Sequence, residues 1–142
     1  MLSAIFGVVQ YSMMLRTLPQ QHLAMIQHWM GFSQKHRTTL LQSDFRALYP
    51  QAGYPLIEAE NDDELIVASY NSGNLVAVGN VSKPDYLLNA TGASSMAVEL
   101  ARQPRSARVY DTFGNLTAEI RPDKGLSRIE VPRSGYILLT YE

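Results

Sequence analysis

Apolar and polar positions alternate with two different periods along the chain. Residues 1–43 carry apolar side chains at helical steps, whereas residues 44–142 carry short apolar runs broken by turn residues. Leu2, Ile5, Phe6, Val8, Val9, Met13, Met14 and Leu15 form an apolar leader. Thr17-Leu18-Pro19-Gln20 then reads as a helix start: Thr17 can cap, Gln20 lies three positions on, and Pro19 suits a first turn. Beyond it, Leu23, Ile26, Met30 and Met25, Trp29, Phe32 recur at three- and four-residue steps, which predicts a wide apolar helical face. Gly31 weakens its middle. A second helical piece is expected from Ser33 through Leu41, with Lys35, His36 and Arg37 on its wet side. His22, Gln27 and His28 fit a solvated or half-buried surface.

After Ser43, strand signals recur at roughly ten-residue spacing. They fall at Phe45–Tyr49, Leu56–Glu60, Glu64–Tyr70, Leu75–Gly79 and Tyr86–Ala90, then at Met96–Leu100, Ala107–Asp111, Leu116–Arg121, Arg128–Val131 and Tyr136–Tyr141. Asn71-Ser72-Gly73-Asn74 and Thr112-Phe113-Gly114-Asn115 are hairpin signals, because Gly and Asn accept positive φ. Pro132-Arg133-Ser134-Gly135 closes the last connection. Helices precede strands without βαβ alternation, so a parallel sheet is not expected. The pattern predicts a mainly β fold: an antiparallel β-sandwich of Greek-key type (44–142) preceded by an N-terminal helical segment (1–43).

Composition narrows the function. The 142 residues carry 46% hydrophobic and 18% charged side chains, an ordinary globular balance. The net charge of −1 and the lack of any basic block speak against nucleic acid as a partner. Cysteine is absent, which removes disulfides, thiolate metal sites and a Cys nucleophile. The leader has its first basic residue, Arg16, on the wrong side for a signal peptide. Gln10 and Ser12 interrupt it too soon for a membrane span. It reads instead as buried structure, packed against a part of a larger chain from which this one was cut; the alternative is that it folds into the domain's own core.

The search for chemistry finds little. Asp62, Asp63 and Glu64 are adjacent, so a strand would point them to opposite faces, and they read as a solvated loop rather than a facing acid pair. Asp85 and Asp111 flank turns and are expected to accept from local backbone amides. Neither has the dense oxygen spacing of a calcium loop. His22, His28 and His36 do not share the four-residue step of helical zinc sites. No metal, cofactor or activated nucleophile is expected, and Ser94-Ser95 and Ser134 read as turn residues. Asn80-Val81-Ser82, Asn89-Ala90-Thr91 and Asn115-Leu116-Thr117 match the N-glycosylation triplet, which arises easily by chance. Tyrosines at 49, 54, 70, 86, 110, 136 and 141 suggest rings packed against the opposite sheet, or a sugar-binding face.

Several stretches together resemble one family. Leu18-Pro19-Gln20-Gln21-His22, Trp29 and His36-Arg37-Thr38-Thr39-Leu40-Leu41 look like the end of an α-galactosidase-like glycoside hydrolase of the melibiase type. Ile66-Val67-Ala68-Ser69-Tyr70, Asn89-Ala90-Thr91, Val109-Tyr110-Asp111 with Gly114-Asn115, and Val131-Pro132-Arg133-Ser134-Gly135 are similar to its C-terminal domain. A sister family of α-glycosidases shares the plan. The resemblance implies an antiparallel sandwich beside a catalytic (β/α)8 barrel, with the leader as the last barrel element. It also implies that the nucleophile and acid/base, aspartates of the barrel, have no counterpart here. The expected role is therefore non-catalytic, with the parent enzyme's barrel as partner and Ile5, Phe6, Val9, Met25 and Trp29 as its contacts or those of a second subunit. A carbohydrate-binding module and a protein–protein interaction domain are the competing readings.

Overall fold

The computed structural model describes residues 2–8, 10, 12 and 14–142. Its helices are α1 (Gln20–Lys35) and α2 (Arg37–Gln42). Ten strands follow among the described residues. They are β1 (Asp44–Leu48), β2 (Leu56–Glu60), β3 (Leu65–Ser69), β4 (Leu75–Val78), β5 (Asp85–Asn89), β6 (Ser95–Leu100), β7 (Ser106–Tyr110), β8 (Leu116–Ile120), β9 (Gly125–Glu130) and β10 (Tyr136–Thr140). The fold is mainly β, and each expected strand forms within a few residues of its predicted ends.

The strands make a seven-stranded sheet, ordered β1-β2-β3-β5-β10-β7-β8, and a three-stranded sheet, β4-β6-β9. Pairing is antiparallel except for β3 with β5 and β4 with β6. Those parallel neighbours depart from the expected all-antiparallel pairing. From β3 the chain crosses to the other sheet as β4 before returning as β5, and so re-enters in its original direction. The step from β4 through β5 to β6 does the same in reverse.

Alternation within the central strands builds two cores back to back. Val67, Leu87, Ile137 and Leu139 face the three-stranded sheet, where Val76, Val98, Leu100 and Ile129 close the sandwich. Ile66, Ala68, Leu88, Tyr86 and Tyr136 face the other way and are covered by Leu2, Ile5, Trp29, Phe32 and Leu40. Helix, large sheet and small sheet thus stack as three layers, and β3 and β5 are buried on both faces. Of the tyrosines expected against the opposite sheet or on a binding face, Tyr141 packs against the core between the sheets, whereas Tyr86 and Tyr136 lie under the helix because their register puts them on the outer face.

Local expectations shift at the helices. Thr17 does not cap α1: its hydroxyl donates to the Met14 carbonyl at 2.9 Å, and Pro19 holds the N-cap position. α1 runs unbroken through Gly31 to Lys35, three residues into the predicted second piece. Of its apolar face, Ile26, Trp29 and Phe32 are buried, while Met30 is exposed. The Trp29 indole N–H donates to the Thr112 hydroxyl at 3.2 Å, which pins the helix to the β7–β8 hairpin.

Candidate functional site

A groove of about 400 Å³ runs between α1 and the large sheet. One wall is the α1 stripe Gln27, Gly31 and Lys35; the floor is Tyr86, Tyr110, Tyr136 and Leu138. Strand register explains this floor: Tyr86 pairs with Leu138, and Tyr136 pairs with Tyr110, so the four form two adjacent rows on one face. The rings are ordered by each other. His28 stacks on Tyr136 with centroids 5.7 Å apart, and Tyr136 stacks on Tyr110 at 4.9 Å. Phe32 meets Tyr86 and Tyr136 edge-on at 5.8 and 5.4 Å.

The polar atoms of this groove are tuned by burial. Desolvation lowers the His28 value, with the Asp111 charge pulling the other way, so the imidazole is held neutral. Its Nε2 is buried and has no hydrogen-bond partner among the described residues. Burial, with the neighbouring Tyr110, Tyr86 and Asp111 charges, pushes the Tyr136 hydroxyl up to about 12. The other edge of His28 lies against Gly114, whose φ of +83° and missing Cβ both serve the close approach. Asp111 holds that turn by accepting from the amides of Phe113 and Asn115, each at 2.9 Å, as expected.

A second polar cluster joins the helices to the sheet. His36 was expected on the wet side but is only 3% exposed. It ends α1 and begins α2, and its Nδ1–H donates to the Glu64 carboxylate at 2.8 Å. The Thr39 hydroxyl donates to the same carboxylate. Burial would raise the Glu64 carboxyl; the His36 and Thr39 hydrogen bonds and the His36 and Lys35 charges outweigh it and hold it below its ordinary value. Glu64 is thus a structural acceptor, not part of a solvated loop, while Asp62 and Asp63 are exposed as expected. The signal in the sequence was the i, i+3, i+4 set His36, Thr39, Leu40, hidden because two of its members are polar.

A third cluster occupies a cavity of about 270 Å³ at one corner of the sandwich. Register places Glu60, Leu65 and Asp85 in one row, so strand pairing gathers Glu58, Glu60 and Asp85, which are far apart in sequence. Arg46 bridges Glu58 and Glu60 at 3.0 and 2.8 Å, and Lys83 reaches Glu60 at 2.7 Å. Asp85 accepts from the Gly79 amide at 3.1 Å, as expected of a turn, and also from the Tyr141 hydroxyl at 2.8 Å. Arg46 and Lys83 pair with the two glutamates, whereas Asp85 has no ion-pair partner among the described residues and is held by its two hydrogen bonds. Among the described residues no group of acids and histidines is placed to hold a metal ion.

Of the expected contact residues, Ile5 (2% exposed) and Trp29 (0%) are spent in the chain's own helix–sheet core. Phe6 and Met25 are half-buried beside that core, and Val9 lies outside the described residues. Apolar surface remains nearby. Val8, Met30 and Leu41 are exposed around one shallow groove, and exposed Phe45 meets Phe6 edge-on at 5.6 Å. The triplet at Asn89 is inaccessible: the residue is fully buried, and its Nδ2 donates to the carbonyls of Ala93, Val131 and Pro132. No protein-family model, curated protein or solved structure matches the chain.

Proposed function

We propose that this chain is the non-catalytic C-terminal β-sandwich domain of an α-galactosidase-like glycoside hydrolase. It would pack against the catalytic (β/α)8 barrel of an enzyme that removes terminal α-galactosides. The observation that carries the reading is the apolar surface formed by Val8, Met30, Leu41 and Phe45, beside the leader and α2. Among the described residues that line the groove in that surface, Arg37 is the one that is charged. Apolar surface of this kind, gathered on one side of a domain, marks a protein contact.

The test is association. A melibiase-type barrel expressed without its own C-terminal region should co-elute with the purified chain. Met30→Glu combined with Leu41→Glu should abolish the complex while leaving the fold intact, since both side chains are exposed. The chain alone should not turn over an aryl α-galactoside. Turnover by the chain alone, absence of a complex, or self-association in its place would each overturn the reading.

A further inference from the structure

We propose that the groove between α1 and the outer face of the large sheet binds a single pyranose ring. The first argument is Gly31. It is the twelfth residue of a sixteen-residue helix, an interior position where glycine costs about 1 kcal/mol relative to alanine. A Cβ placed there would meet nothing within 4 Å, and the φ is not positive, so neither packing nor backbone geometry calls for glycine. What its absent side chain does is open the groove wall, so that a bound molecule can lie against the helix backbone.

The second argument is the chemistry of the lining. Among the described residues that line the groove there is no carboxylate, and Lys35 is the one permanent charge, which disfavours a cation. The lining is rich in groups that donate: the Lys35 ammonium, the Gln27 amide and the hydroxyls of Tyr86, Tyr110 and Tyr136. His28 lines the same wall, with its Nε2 buried and without a partner among the described residues. The Tyr136 ring stacks with both His28 and Tyr110, while the half-buried Tyr110 and Leu138 offer apolar floor. A volume of about 400 Å³ suits one small ligand. A molecule dense in lone pairs around its rim, with an apolar C–H face, fits such a lining, and a pyranose has both. The site stands apart from the barrel contact, which uses Met30 and Leu41, so either proposal can fail without the other.

Amide chemical shifts of the labelled chain, titrated with methyl α-galactoside, test the idea. Saturable shifts should appear at Gln27, Gly31, Lys35, Tyr110 and Leu138. Gly31→Leu would fill the groove with a better helix former, so it should melt no lower than the native chain. It should weaken binding roughly tenfold or more, equivalent to about 1.4 kcal/mol. Benzoate is the comparison ligand, flat and anionic. Shifts from benzoate and none from the pyranoside would overturn the assignment. So would pyranoside binding that survives Gly31→Leu in a folded variant, or the absence of shifts at these residues.

Discussion

Asp85 is a carboxylate held almost entirely out of water, 2% exposed at the first position of β5. Burial pushes it up from 3.8 to about 6, against the pull of its bonds from Tyr141 and Gly79 and of the Lys83 charge, and with a small push from Glu60. Because the folded value lies above the unfolded one, the folded chain binds the extra proton first. Its favourable contribution is complete below about pH 4 and is lost as pH rises through about 6, a swing of about 3 kcal/mol. Glu58 shifts the same way and His28 titrates in the opposite sense, so the clean observable is a difference. Asp85→Asn keeps an acceptor for Tyr141 and Gly79 and cannot ionise. Urea unfolding of both proteins should therefore show the native chain losing ground to Asp85→Asn as pH rises from 4 to 7; parallel curves would mean that Asp85 is not desolvated.

At the scale of elements, the joint between α1 and α2 depends on one acceptor. His36 and Thr39 both donate to Glu64 from adjacent turns of the helical segment. Glu64→Ala leaves a buried imidazole and a hydroxyl without their partner and should cost about 2–3 kcal/mol in urea unfolding. Asp63→Ala, one residue away but exposed, should stay within about 0.5 kcal/mol. Equal effects would show that the joint contributes nothing. Strand positions were legible because alternation and turn residues such as Gly73 and Gly114 are local signals. The His36–Glu64 joint was not legible, because 28 residues separate the partners and the strand that brings them together is ordered by pairing. The aromatic groove was half legible: its tyrosines stood out, but the face they occupy follows from register, which a one-residue shift would reverse.

For the whole molecule, the decisive point is that one sheet serves two cores. Ile66 and Val67, or Leu87 and Leu88, are neighbours in sequence that sit in different apolar clusters. Undocking the helical layer would expose one face of β3 and β5 and weaken the strands that carry the other. Trp29, the single tryptophan, reports the helix–sheet layer, whereas far-ultraviolet circular dichroism is weighted over both layers. The two signals should give coincident denaturation midpoints. A fluorescence transition that precedes the loss of β signal would show that the helical segment melts alone. The sequence boundary at residue 43 marks a change of periodicity, and the core between the helical layer and the large sheet straddles it.

Asn89 carries a consequence for how the protein can be made. Its Nδ2 hydrogens are directed to the carbonyls that knit the β5 end to the β6 and β10 approaches, and its Oδ1 accepts from the amide and hydroxyl of Thr91. Asn89-Ala90-Thr91 is also an acceptor triplet for glycan transfer, a reaction that takes place on chains before they fold. A sugar attached to that nitrogen has no room between those carbonyls. Production through a glycosylating secretory route would therefore divide the chains at a single amide, into those that escape modification and fold and those that are modified and never close the sandwich.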